Sequence, residues 1–171
     1  VIVEDGTGLE NANAYVDLTY ADNYWDAETN NTWARASDDS KEIAIIQATK
    51  ELDKRFGKRF IGNKADRDQA LSWPRINALD TDGFYWNGVV PSAIKNAVCE
   101  LALLVIQGTD LRNQPSPNVT IKSKTVKVGE ISTATVYENP LQSNTVTTTI
   151  DDILSTLISG GGGIAVKAYR V

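Results

Sequence analysis

The chain of 171 residues carries 17 basic and 22 acidic side chains, a net charge of −5, 42% hydrophobic residues, one cysteine and no histidine or methionine. That length suits one domain, or one domain with an arm, and can bury a real core. Ser-His-Asp and Cys-His catalysis lack their base, zinc sites built from His and Cys lack their ligands, and a lone cysteine cannot close an internal disulfide.

The N-terminus, Val1-Ile2-Val3-Glu4-Asp5, has no signal-peptide pattern, which predicts a soluble protein made inside the cell. Asp5-Gly6-Thr7-Gly8 is a turn signal, and Asn11 to Val16 reads as a short extended entry. Leu18 to Glu28 is a first helix with Tyr20, Tyr24 and Trp25 at helical spacing, broken at Asn30-Asn31. Thr32 to Ala36 makes at most one further turn. Ser37-Asp38-Asp39-Ser40 opens the strongest helix, with Asp39 and Glu42 spaced as a capping box and Gly57 as the stop after Phe56. Ile45, Ala48, Thr49, Leu52 and Phe56 share its apolar face, while Lys50, Glu51, Lys54 and Arg55 share the other.

Lys58 to Ala70 reads as a polar connection, and Leu71-Ser72-Trp73-Pro74-Arg75 as an extended segment. Asp80-Thr81-Asp82-Gly83 and Asn87-Gly88 are turns framing Phe84-Tyr85-Trp86. Pro91 sits where a helix takes its first proline, and the helix to Gln107 is apolar on nearly every side after Ala97. Such a helix is central or shared between subunits. Its longest apolar run, Ala102 to Ile106, is far too short to span a bilayer, so no membrane contact is expected.

Pro115 and Pro117 mark a linker that divides the chain into residues 1–114 and 115–171. Beyond it the period becomes two, and Val119 to Tyr137, turning at Gly129-Glu130, reads as a β-hairpin arm. Ile150 to Ile158 is a short helix with Asp151 and Asp152 near its start. Gly160, Gly161, Gly162 and Gly163 form a hinge before an extended tail, Ile164 to Val171. The tail is too short to fold alone; it either adds to another chain's sheet edge or returns to its own arm. The fold class is therefore mainly α within α+β: a helical-bundle core with a C-terminal β-arm, short helix and extended tail.

Few residues invite chemistry. Asp80-Thr81-Asp82-Gly83 fails as a calcium loop, because Ala78 and Val89 would stand at its first and twelfth ligand positions. The pairs Asp66/Asp68 and Asp38/Asp39 lack a completing Glu or Lys, the tetraglycine is no phosphate loop, and Cys99 reads as core. No catalysis, metal or cofactor is expected. Lys50, Lys54, Arg55, Lys58 and Arg59, extended by Lys64 and Arg67, form the one basic stretch that could face nucleic acid or a neighbouring subunit; a solvated helix face is the plainer reading. Charge is split along the chain: −8 over residues 1–40, +4 over 41–75, −2 over 76–118 and +1 over 119–171. The opposed segments either neutralise each other within one fold or meet between copies.

Several segments together resemble a family of tailed-bacteriophage proteins: Glu4 to Gly8 with Asn11 to Val16, Tyr20 to Trp25, Ala48-Thr49 with Leu52-Asp53, and Arg59 to Gly62. Leu71-Ser72-Trp73-Pro74-Arg75, Val90-Pro91 and Glu100-Leu101-Ala102 carry the likeness furthest, which covers about residues 1–112. Members of this family pass both as head–tail connectors (portal adaptors or head-completion proteins) and as DnaT-like single-stranded-DNA-binding proteins. The connector resemblance implies a structural subunit of the virion neck, made in the bacterial cytoplasm. It further implies a homo-oligomer, a twelve-membered ring, between the portal protein and a tail-side protein, continuing the channel for packaged DNA. The tail residues Ile164, Val166, Lys167, Tyr169, Arg170 and Val171 would then dock on the portal. The alternative is a single-stranded-DNA-binding accessory protein.

Overall fold

The computed structural model describes residues 1–111, 124–128, 131–135 and 145–159, the segments between 124 and 148 through their backbone. The fold is mixed α+β. Helix α1, Leu18–Ala27, starts where the Asp17 carboxylate accepts the Tyr20 N–H at 2.7 Å. Helix α2, Asn31–Arg35, is capped in the same way by Asn30. Helix α3, Asp38–Phe56, is capped by Ser37 rather than through an Asp39–Glu42 box. Asp38 and Asp39 therefore lie in the first turn, where they face the positive end of the helix dipole. Gly57 follows in a right-handed conformation, so its small size serves packing: a Cβ there would stand 2.8 Å from Ser72 Oγ.

Two-residue strands β1, Asn63–Lys64, and β2, Arg75–Ile76, pair antiparallel. Helix α4, Ser92–Ile106, follows with Pro91 as its N-cap residue. Strands β3, Lys124–Val128, and β4, Ile131–Thr135, pair antiparallel with Val128 opposite Ile131, in the place expected for a hairpin. Val119 to Ile121 lies outside the described residues. Helix α5, Thr145–Ile153, begins and ends five residues before the expected span. Asp151 and Asp152 thus fall in its last turn, against the dipole, and Asp151 is offset by Arg59 at 2.9 Å.

Helices α3 and α4 form the central pair. The apolar face of α3 is buried as its spacing predicts, and Ile94, Ala97, Val98, Leu101 and Ala102 of α4 are buried against it. Helix α1 adds Trp25 to the core and sends the Tyr20 and Tyr24 hydroxyls to Asn96 and Glu100 of α4, at 2.9 and 2.8 Å. Ile150, Leu154, Leu157 and Ile158 join the same core from the α5 region, so this part of the chain completes the helical body. Glu51, placed by spacing on the polar face, is buried and held by Arg55 and Lys54 at 2.7 and 3.3 Å.

The entry segment, α3 and the Leu71–Arg75 segment meet at one buried network. The Tyr15 hydroxyl donates to Asp53 Oδ1 at 2.7 Å and accepts the Trp73 N–H at 3.0 Å. The other Asp53 oxygen accepts the Ser72 N–H at 2.8 Å. Burial raises the Tyr15 hydroxyl well above its ordinary value and raises Asp53 above 3.8. Asp53 consequently contributes most to stability below pH 3.8 and loses that contribution as pH rises through its raised value. Tyr15→Phe leaves the Trp73 amide and an Asp53 oxygen without their partner; a loss of about 1–3 kcal/mol is expected. Urea unfolding followed by tryptophan fluorescence measures it, and an unchanged midpoint would remove this network from the account of stability.

Candidate functional site

Two surfaces stand out among the described residues. The first runs along α3 and just past it. Lys50, Lys54 and Lys58 follow each other at four-residue spacing, about 6 Å from one to the next on a helical face. All three are exposed, and the backbone continues a helical turn beyond Phe56, with Arg59 and Phe60 both donating to the Phe56 carbonyl. Lys50 and Lys58 have no ion-pair partner among the described residues, and Lys54 shares Glu51. The arginines of the same stretch are committed elsewhere. Arg55 holds Glu51 and the Leu111 carbonyl, while Arg59 holds Asp151 and lies 5.2 Å from the Phe56 ring. Phe56 and Phe60 are core residues and are closed to stacking.

The acidic and basic segments of the sequence meet within the chain at Asp22 and Lys41. Their 2.9 Å ion pair is joined by the Trp33 indole, which donates to the same Asp22 oxygen. Lys64 donates to the Gln69 carbonyl, and the Asp66 carboxylate accepts the Asp68 N–H, so these loop residues are tied locally.

The second surface is the loop leading into α4. Leu79 and Tyr85 form an antiparallel bridge, which sets them as cross-strand neighbours. At the turn the Asp80 carboxylate accepts the Asp82 N–H at 3.0 Å, the Phe84 N–H at 2.8 Å and the Trp86 indole N–H at 2.7 Å. The Phe84 amide foremost, then the Trp86 indole and neighbouring amides, hold Asp80 below 3.8 although burial opposes them. This clamp presents Phe84 and Tyr85 at 66% and 65% exposure, flanked by exposed Ile76, Leu79 and Val89. The sequence showed two turns around an aromatic triplet. It did not show that only Trp86 turns inward, because that choice depends on the indole reaching Asp80.

Among the described residues no group of three or more Cys, Asp or Glu side chains is placed to hold a metal ion, and no helix is long and apolar enough to cross a membrane. Cys99 is buried, and burial pushes its thiol up to about 12, so it offers no nucleophile at neutral pH. The hinge glycines 160–163 and the tail residues 164–171 lie outside the described residues.

The described residues form a mixed α+β fold with a short exposed lysine row and a clamped apolar tip. The family described as "Putative DnaT-like ssDNA binding protein" matches residues 1–171, and the chain belongs to that family. No curated protein and no solved structure matches the chain.

The clamp has a measurable consequence. Because Asp80 is held below 3.8, its contribution to loop order is present above that pH and lost as pH falls through the depressed value. The Trp86 indole resonance is expected to titrate with a midpoint below 3.8. Asp80→Ala should abolish that titration and admit chymotrypsin at Phe84 and Tyr85 in the native state. A resistant loop in that variant would show that the Leu79–Tyr85 bridge holds the tip without the clamp.

Proposed function

We propose that the protein is a single-stranded-DNA-binding accessory protein whose contact with the strand follows the lysine row Lys50, Lys54 and Lys58. The observation that carries the reading is the family match over the whole chain; the lysine row gives it a surface. Cations repeated at about 6 Å along one face suit a phosphate backbone and carry no base readout, so the binding is indifferent to sequence. A chain of net charge −5 draws on local charge alone, so the contact is weak and sensitive to salt. The reading assigns no catalytic step to any residue.

A second reading is favoured by the exposed apolar residues of the loop at 76–89, which suit a protein partner, and by the segment resemblance to phage connectors. Here the chain is a structural subunit of the virion neck, in a twelve-membered ring between portal and tail-side protein. Packaged DNA passes through the ring and the 164–171 tail docks on the portal.

The two readings part in one pair of measurements. For the first, fluorescence anisotropy with a labelled oligothymidylate should give a log–log salt slope of about −2 for each lysine row on the strand, as expected for three neutralised phosphates of a single strand. The triple variant Lys50→Glu, Lys54→Glu, Lys58→Glu should lose the binding while keeping the circular-dichroism spectrum. No binding by the parent at low salt, together with a large cyclic assembly in mass photometry, would replace the first reading by the second.

A further inference from the structure

The clamped tip has a counterpart on the same chain. An open groove of about 460 Å³ is lined by Thr32 and Arg35 of α2, by Ile43 of α3, and by Val105 and Ile106 of α4. Ile43 is 55% exposed at its edge, although it is a large aliphatic residue on the best helix of the chain. Arg35 is exposed and has no ion-pair partner among the described residues. We propose that the Phe84–Tyr85 tip of one protomer seats in the Arg35–Ile43–Ile106 groove of a second copy of this chain.

Shape, polarity and charge agree. The tip offers two aromatic side chains, a residue type enriched at protein interfaces, with Leu79 beside them, and the groove offers the aliphatic side chains of Ile43, Val105 and Ile106 next to the polar Thr32, Arg35 and Ser40. Asp82, exposed at the turn, has no ion-pair partner among the described residues. It therefore brings an acid to the unpaired Arg35. The Asp80 clamp fixes the loop before contact, so little conformational freedom is lost on docking. The groove is not filled by the tip of its own chain: Phe84 and Tyr85 stand exposed and form no part of its lining. The groove is walled by the last residue of α4, Ile106, about 21 Å along the axis from its first, Ser92, which follows the tip loop. A tip at one end and a groove at the other can repeat from copy to copy, closing as a ring, or pair reciprocally in an antiparallel dimer. The inference is independent of the nucleic-acid reading.

The test uses the full chain in mass photometry and sedimentation velocity. The parent is expected to associate. Phe84→Ala with Tyr85→Ala, and separately Ile43→Glu, should each sediment as the 18.6 kDa protomer with an unchanged circular-dichroism spectrum, since all three positions are exposed. Mixing the tip variant, with its intact groove, and the groove variant, with its intact tip, should give a one-to-one pair and nothing larger. Asp82→Arg and Arg35→Asp should each weaken association, and combining the two in one chain should restore it. A parent that stays monomeric overturns the proposal, as does a tip variant that still associates. If the tip variant keeps the parent's mass but no longer holds an oligothymidylate, the tip is a base-stacking surface and the self-docking is wrong.

Discussion

A buried guanidinium without a carboxylate holds the middle of this protein together. Arg75 spreads its donors over the carbonyls of Ile61 at 2.7 Å, Gly62 at 2.8 Å, Ser72 at 3.1 Å and Phe60 at 3.4 Å. Burial lowers its pKa, yet the planar five-donor head satisfies four backbone acceptors that a short loop would otherwise leave unpaired. The geometry works only because Gly62 adopts φ +71°; a Cβ there would come within 2.5 Å of the Ile76 carbonyl oxygen. The same short stretch also holds the segment that follows α5. Ile61 donates to Leu157, Ser159 donates to Arg59, and Phe60 bridges Ile158. The turn at 59–62 is therefore where the end of α3, the α5 region and the base of the tip are all fixed.

A related device recurs with acids. Glu4 is buried, and its two oxygens accept the N–H groups of Gly6, Gly8 and Leu9 at 2.8 to 2.9 Å. Asp80 does the same for its own turn. With only two-residue strands in the body of the fold, the connecting segments have few ladder partners, and a buried polar group must find a partner somewhere. Charged side chains folded back on their own backbone provide it. Glu4-Asp5-Gly6-Thr7-Gly8 and Leu71-Ser72-Trp73-Pro74-Arg75 each combine a charged head with backbone groups brought close around it.

Helical periodicity is a local property, so the apolar face of α3, the central place of α4 and the ends of α1 through α4 could be read to within a residue or two. The cap of α3 lies two positions before the expected Asp39, because the Ser40 amide is placed to reach the Ser37 hydroxyl. Helix α5 extends back through a run of Thr and Val, residue types of low helix propensity, which is why its start at Thr145 is not legible in the sequence. The candidate site divided along the same line. A lysine row at four-residue spacing is visible in the sequence. The burial of Glu51, the capture of Arg55 and Arg59, and the outward turn of Phe84 and Tyr85 depend on partners distant along the chain or on which of three adjacent aromatics finds an acceptor.

The row and the tip are joined by hydrogen bonds through the 59–62 turn, and this bears on the proposed hold on a strand of DNA. Lys58 is followed at once by the 59–62 turn, which Arg75 ties to the base of the tip loop. A protomer docked through its tip therefore fixes the direction of its neighbour's lysine row as well. Three lysines neutralise few phosphates, and one row by itself binds weakly at moderate salt. On the two proposals taken together, rows held in register by self-docking would act on the same strand with a high effective concentration, so the salt slope and the affinity would grow with the number of copies engaged. Under this arrangement tip and groove variants lose DNA affinity indirectly, with the single-row slope of about −2 surviving in the monomer. Lysine variants lose the slope itself and keep the assembly. That difference in slope separates a surface that touches the strand from one that only aligns the copies.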